Sequence, residues 1–366
     1  MKHMLLLMSA AAIAFAQAPA PAPAPAPPVW SAGPINFGGL VDGYYSANFN
    51  HPASGTNNLR NFDVRANQFS LNMAKFEMSH DADPVGFRVD LGFGRAFDIF
   101  HATEPLDQGR GIMRFLPQAY LSVKPANMGG FQFDFGKFYT SAGAEVTETH
   151  LNWNYSRSLL YANGPYYHMG VRTSKPITKW FTAGFQVVNG WNNVEDNNSG
   201  KTVGFTTAMT SKKVSWLNTY MVGPEKTQGE KGVRHFWDTV LNLTADDRNS
   251  FYINFNYGDE KNPRKLDSTF WGIAGAYKAQ FNDRWSLSER IEYYKDTSGL
   301  ITGKPQALKE FTVTGEYKMK EGFLMRAEYR HDWSDQRFFD RGAQMGNAKH
   351  MHTLLAGFVV YFGPKR

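Results

Sequence analysis

The connectors of this chain alternate between short and long. From residue 35 to residue 362 the sequence reads as about sixteen strand-like segments, each roughly 9–16 residues long. A long polar stretch, 51–66, follows the first segment (35–50), whereas only 81–84 follows the second (67–80). The third segment ends near Arg95 and is followed by a long link to Leu116; the fourth is followed by 125–130. The later short turns are 176–179, 211–212, 245–249, 282–283 and 320–322, and the long connectors include 140–166, 223–233 and 333–349. A soluble sheet protein has no reason to sort its loops by side. An up-and-down barrel crossing an outer membrane does, with tight turns on the periplasmic side and loops outside.

Residues 1–16 have the form of a signal peptide. Lys2 supplies positive charge, residues 4–15 form an apolar run too short to span a bilayer as a helix, and Ala14-Phe15-Ala16 fits a small-residue cleavage site. Residues 17–34 are rich in Ala and Pro, which favours extended polyproline geometry, and are expected to form a periplasmic spacer. The barrel is expected over 35–366. The chain has no cysteine, which excludes disulfide scaffolds and thiol chemistry. Beyond the signal no run of about 18 apolar residues occurs, so helical spans are excluded. The net charge of +6, from 39 basic and 33 acidic residues without long basic blocks, argues against a nucleic-acid partner.

Period-2 alternation is clearest in several places, beginning with 35–49, where Ile35, Phe37, Val41, Tyr45 and Phe49 alternate with Asn36, Asp42, Ser46 and Asn48. Val85, Phe87, Val89, Leu91 and Phe93 lie opposite Arg88 and Asp90; Phe131, Phe133 and Phe135 alternate with Gln132 and Asp134. Phe251, Ile253, Phe255 and Tyr257 alternate with Tyr252, Asn254 and Asn256. Phe311, Val313, Gly315 and Tyr317 alternate with Thr312, Thr314, Glu316 and Lys318, and Phe323, Met325, Ala327 and Tyr329 with Leu324, Arg326, Glu328 and Arg330. A β-sandwich also alternates, but its strands average about 5–6 residues, whereas a tilted membrane strand needs about 9–11. Aromatic residues make up 15% of the chain, and several open strands directly after short turns: Phe131, Phe181, Phe251, Trp285 and Phe323. That is where an interfacial girdle needs them. An Arg facing lipid at mid-membrane costs about 2–4 kcal/mol, so Arg326, Glu328 and Arg330 are expected to face the lumen, with Met325, Ala327 and Tyr329 on lipid.

Two segments read poorly. In 67–80, Phe69, Leu71 and Met73 share one face while Phe76 and Met78 share the other, which a bulge near Ala74 or Lys75 would reconcile. In 350–362 both faces are apolar and the register is open. If both weak segments fail, the count is fourteen strands rather than sixteen.

The residues resemble the OmpL-like outer-membrane β-barrel porins over nearly the whole mature chain. The resemblance rests on Gly39-Leu40-Val41-Asp42-Gly43-Tyr44-Tyr45, Asn67-Gln68-Phe69-Ser70-Leu71 and Pro84-Val85-Gly86-Phe87-Arg88-Val89-Asp90-Leu91-Gly92. It continues through Asn152-Trp153-Asn154-Tyr155-Ser156-Arg157-Ser158, Gly164-Pro165, Val188-Asn189-Gly190-Trp191 and Arg326-Ala327-Glu328-Tyr329-Arg330. It implies a porin-like barrel and no particular substrate. One departure stands at the end, where Tyr361-Phe362 is followed by four further residues instead of closing the chain on an aromatic.

The expected lumen-lining charges are Asp42, Arg88, Asp90, Asp134, Arg172, Arg290, Glu292, Glu316, Lys318, Arg326, Glu328 and Arg330. On neighbouring strands opposite charges pair across the ladder, bracing the wall or setting a transverse field for polar solutes. The connector 140–166, which carries Glu145, Glu148 and Arg157, is expected to fold into the barrel mouth and narrow it. His350 and His352 share a face, but no third ligand has matching spacing and His331 lies on another strand, so no metal site is expected. No cofactor is expected, and no enzymatic activity: Ser, His and Asp are scattered and no G-x-S-x-G motif occurs.

These readings converge on a sixteen-stranded antiparallel transmembrane barrel in the outer membrane of a Gram-negative-type bacterium, exported through a cleaved signal peptide. The expected function is passive diffusion of small polar solutes or ions. The rival is a structural or adhesive barrel with a plugged lumen; an outer-membrane enzyme ranks below both. The expected partners are outer-membrane lipid, the barrel assembly machinery and small polar solutes, with a homo-oligomer left open. Excess basic charge favours anions to the extent that it lines the pore.

Overall fold

The computed structural model describes residues 31–104, 111–226, 232–261, 268–320 and 322–364. The expected signal peptide and most of the spacer lie outside the described residues.

Sixteen antiparallel strands close into a single barrel. In chain order they are β1 (Ile35–Asn48), β2 (Phe69–His80), β3 (Val85–Phe93), β4 (Gln118–Val123), β5 (Gln132–Tyr139), β6 (Tyr167–Pro176), β7 (Phe181–Val188) and β8 (Thr202–Thr210). Then follow β9 (Val214–Gly223), β10 (Val233–Thr244), β11 (Asn249–Lys261), β12 (Ser268–Gln280), β13 (Trp285–Asp296), β14 (Gln306–Lys320), β15 (Phe323–Ser334) and β16 (His350–Phe362). Each strand pairs with the next, and β16 closes on β1 with Leu354 opposite Ala47 and Phe362 opposite Gly39. The alternation of connectors survives in three dimensions: one end of the barrel carries the short turns, the other the long loops. Among the described residues, no helix is long and apolar enough to cross a membrane.

The wall is apolar outside and polar inside because the alternation in the sequence is imposed on a closed surface. Val41, Phe185, Phe205, Ile253, Ile291, Leu354, Phe358 and Val360 are exposed on the outer face, a belt that only lipid or a partner covers favourably. Aromatic pairs mark its two edges. Phe251 stacks on Tyr277 at 4.8 Å and Trp285 lies 4.6 Å from Tyr317 near the short turns. Toward the long loops, Trp271 lies 5.1 Å from Tyr293 and Trp237 lies 5.8 Å from Phe255.

The two ambiguous segments are both strands. The β1–β2 register shifts where Asp42 pairs with Met73 and Gly43 with Leu71, so the bulge sits at Asn72–Met73, not at Ala74 or Lys75. Its cause is local: Asn72 donates from Nδ2 to Asp42 Oδ2 at 2.8 Å, and Met73 joins an inner apolar cluster, so two consecutive side chains are drawn inward. Gly94, at φ 108, packs against this bulge; a Cβ there would meet the Asn72 carbonyl oxygen at 2.6 Å. Gly94 opens a short helix, Arg95–Phe100, that buries Phe97 and Phe100. In β16, Met351, Thr353, Leu355 and Val359 are buried inside, while Leu354, Phe358 and Val360 face out. Both faces are apolar because the inner face packs on Tyr155 from a loop rather than on water.

Candidate functional site

The connector between β5 and β6, residues 140–166, turns into the barrel and crosses its interior. At its start it is held by β9, β10 and β11. Ser141 Oγ lies 3.2 Å from Thr219 Oγ1, the Gly143 amide donates to Asp238 Oδ1 at 2.8 Å, and the Ala144 amide donates to Asn254 Oδ1 at 3.2 Å. Farther on it reaches β1 and β2, where Thr149 and Tyr155 donate hydroxyl hydrogen bonds to Asp42 and Lys75 pairs with Glu148.

The loop's main chain is gripped by charges on β13 and β15. Glu328 accepts from the amides of Tyr155 at 2.6 Å and Ser156 at 3.0 Å, and from Thr314 Oγ1 at 2.7 Å. Glu292 accepts from the Leu159 amide at 2.8 Å. The guanidiniums take the opposite polarity. Arg326 donates to the carbonyls of Thr149 at 2.8 Å, Asn152 at 2.5 Å and Asn154 at 3.1 Å. Arg290 donates to the Ser156 carbonyl at 2.9 Å and Arg330 to the Arg157 carbonyl at 2.5 Å. An irregular buried segment must satisfy its backbone groups without a sheet partner, and here wall charges serve.

The same charges also pair with one another. Arg290 contacts Glu145 at 2.6 Å, Glu292 at 3.0 Å and Glu310 at 3.1 Å. Arg330 contacts Asp332 at 2.7 Å, and Arg326 contacts Glu316, its direct cross-strand neighbour, at 2.6 Å. On the far wall Lys75 lies 2.8 Å from both Glu77 and Asp90, Arg88 lies 2.8 Å from Asp90, and Arg172 lies 2.8 Å from Asp134. Glu77, Asp90 and Glu148 converge closely, yet the Lys75 ammonium already sits among them, which disfavours a cation there.

Arg157 braces the loop from within, donating to the carbonyls of Val146 at 3.0 Å, Tyr155 at 2.5 Å and Thr147 at 2.6 Å. A short helix, Leu159–Ala162, follows, capped by Ser158 Oγ, which accepts from the Tyr161 amide at 2.9 Å. Its Leu159 and Leu160 join an apolar cluster inside the barrel with Phe236, Tyr252, Phe270 and Tyr294. Two close approaches complete the fit. The β16 wall is open at Gly357, where a Cβ would come within 2.4 Å of the Tyr155 ring, and the His150 ring stacks on Tyr361 at 4.4 Å. Burial, outweighing the nearby Glu148 and Glu77 carboxylates, pushes the His150 imidazole down to about 4.

Every residue singled out from the sequence has a definite place. Asp42, Asp90, Asp134, Arg172, Arg290, Glu292, Arg326, Glu328 and Arg330 are buried on the inner face, and Arg88 and Glu316 are partly covered there. Lys318 lies near the short-turn end of β14, half-exposed and next to the register shift at Lys318/Lys320. Glu145 and Glu148 meet the wall cations Arg290 and Lys75, whereas the Arg157 side chain bonds to carbonyls of the loop itself. Sequence reasoning missed Lys75, hidden by the misplaced bulge, and Arg60. Among the long loops expected outside, the stretch 51–66 carries Arg60, which dips into the mouth and donates to Asp332 Oδ2 at 2.7 Å and Thr353 Oγ1 at 3.0 Å. Nothing in its local spacing distinguishes Arg60 from an exposed loop arginine. The pairing register also sets His331 beside His352, which spacing along the chain does not reveal.

Comparison with known proteins agrees with this architecture. No curated protein matches the chain in sequence. Among solved structures, an anion-selective porin from Comamonas acidovorans superposes with a TM-score of 0.62 at 11% identity, over 90% of this chain and 99% of that one. OmpT, an outer membrane protein of Vibrio cholerae folded in vitro, gives 0.60 at 12% identity, over 92% and 100%. The outer membrane channel DcaP of Acinetobacter baumannii gives 0.57 at 9% identity, over 90% and 97%. At these identities the likeness establishes a shared outer-membrane barrel fold. The profile of the family described as Putative beta-barrel porin-2, OmpL-like, matches residues 34–362, and the chain belongs to that family of outer-membrane barrels.

Proposed function

We propose that the protein is a passive channel for small polar solutes or ions, narrowed by the loop 140–166. The observation that carries this reading is the polar, charge-lined interior crossed by a loop that is fixed to the wall by its own backbone. A barrel serving only as an anchor needs neither a polar inner wall nor so many ionised groups. The inner wall also keeps partly accessible polar positions, among them Thr206, Ser215, Lys278 and Glu316. The short turns then face the periplasm and the long loops the exterior.

The charge arrangement supports a weak selectivity. Arg88, Arg172, Arg290, Arg326 and Arg330 each lie within 4 Å of a carboxylate, so the interior offers a transverse field more than a net excess of one sign. The overall +6 therefore gives little reason for a strong anion preference. An enzymatic role has no support in this interior, where the charged groups described above pair with one another or brace the loop.

The second reading is a structural or adhesive barrel whose lumen is closed. It is favoured by the apolar cluster around Leu159 and Leu160 and by the full burial of Tyr155 and Arg157. Planar-bilayer recording separates the two: stable conductance steps support the channel, and their repeated absence with folded protein supports the plug. A homo-oligomer also fits. Glu289 is exposed on the outer wall near the shallow row Gly315, Ala327 and Ala356, where a neighbouring subunit would cover a carboxylate that lipid does not. Crosslinking in detergent, lost on Glu289→Leu, is the test.

A further inference from the structure

Outside the lumen, three histidines meet on the outer wall at the long-loop end. The β15–β16 register sets His331 opposite His352 and Trp333 opposite His350. Their sequence neighbours Arg330, Asp332, Met351 and Thr353 are buried inside, so the alternation turns all three imidazoles outward. The His331 and His352 rings stack at 3.9 Å, and His350 Nδ1 lies 3.1 Å from His352 Nε2. One ring nitrogen from each lies within 4.8 Å of the others. His331 Nε2 is buried without a hydrogen-bond partner.

We propose that His331, His350 and His352 form a surface site for one borderline divalent transition-metal ion such as Zn²⁺ or Ni²⁺. The distances are those of a nearly assembled ligand set. Imidazole nitrogens bind zinc at about 2.0–2.1 Å, which sets two tetrahedral ligands roughly 3.3 Å apart. The His350–His352 pair already meets this separation, and turning the His331 ring out of its stack on His352 brings in the third nitrogen and engages its unpartnered atom. Tyr329 Oη lies 2.8 Å from His352 Nδ1. Accepting that proton, it leaves Nε2 with a free lone pair, the outer-shell role that fixes a ligand's tautomer. The ion has an aqueous route, because His350 is exposed and the exposed Lys309 lies across from Trp333 in the same outer row. The donor set also selects the class: no carboxylate joins it, since Asp332 points inward to Arg330 and Arg60, so oxygen-seeking Ca²⁺ and Mg²⁺ are poorly served. Bound there, the ion ties the two stems of the loop 335–349 together.

The test uses the full barrel in detergent, purified without a histidine tag and stripped with chelator, titrated calorimetrically with Zn²⁺, Ni²⁺ and Ca²⁺. One Zn²⁺ or Ni²⁺ per chain is expected, with affinity reduced about tenfold or more by His331→Ala, His350→Ala or His352→Ala, and to a lesser degree by Tyr329→Phe. His235→Ala, on a remote part of the outer wall, is expected to leave binding unchanged. Heat-modifiable electrophoretic mobility checks that each variant is folded. Absence of saturable Zn²⁺ and Ni²⁺ binding overturns the proposal, as does equal binding by the folded triple variant or equal binding of Ca²⁺.

Discussion

Glu328→Ala tests how the inner loop is held. Glu328 makes two charge-assisted hydrogen bonds to the loop backbone, from Tyr155 at 2.6 Å and Ser156 at 3.0 Å. Bonds of this kind contribute about 1.5–3 kcal/mol each when a charged partner is involved, or roughly 3–6 kcal/mol together. Water entering the vacated space replaces part of this, leaving a net loss of about 2–4 kcal/mol in the seating of the loop. Since 1.4 kcal/mol is a factor of ten, the population with the loop displaced rises roughly thirty- to several-hundred-fold. Single-channel recording reads this as a rise in the frequency and duration of high-conductance events. Limited proteolysis within 145–157 provides an independent readout, and unchanged heat-modifiable mobility shows that the barrel is intact. Glu328→Gln retains one acceptor and is expected to fall between. If the folded Ala variant gives wild-type traces and wild-type protease resistance, the wall charges do not hold the loop and the reasoning is refuted.

Other outcomes follow from the same geometry. Gly357→Ala is expected to force the Tyr155 ring off the wall and raise conductance, whereas Gly275→Ala, whose added Cβ would meet only Ile291 Cγ1 at an ordinary 3.9 Å, is expected to do neither; equal traces for both would argue against the close fit. Arg290→Met leaves three buried carboxylates without their shared cation and is expected to destabilise the region by about 3–5 kcal/mol, read from urea unfolding followed by tryptophan fluorescence. His150 is held neutral, with its proton affinity lowered to about 4 from an ordinary 6.5. The displaced loop therefore takes up a proton first, so seating is unaffected above pH 6.5 and weakens as pH falls from 6.5 toward 4. High-conductance events are expected to increase over that window, with a flatter profile in His150→Gln. Phe358→Arg, on the outer belt, is expected to cost about 2–4 kcal/mol of folding stability in lipid, against a much smaller effect for Thr206→Arg inside.

Much of the barrel was legible because a membrane wall imposes one rule on every strand. Each residue faces lipid or lumen, and a misplaced Arg326 or Arg330 costs enough to fix the register. The inward loop was legible in outline, since a long connector rich in Glu145, Glu148 and Arg157 suits a charged interior. Its docking was not, because the partners of Tyr155 and Ser156 lie more than 170 residues away at Glu328. The bulge was misplaced for a related reason: Asn72 and Met73 suit either face, and Asp42 and the helix Arg95–Phe100 draw both inward. The last strand was ambiguous because Tyr155 makes its inner face apolar, a fact external to the strand. Chain spacing puts His350 and His352 on one face, but only cross-strand register brings His331 to them.

The central claim is that the loop 140–166 narrows a conducting pore. The most direct test records single channels from the purified barrel and from the same barrel lacking residues 145–157, in planar bilayers under identical salt. The account predicts stable conductance steps for the intact protein and larger steps for the deletion. Folded protein that never conducts, or a folded deletion whose steps equal those of the intact barrel, would contradict it.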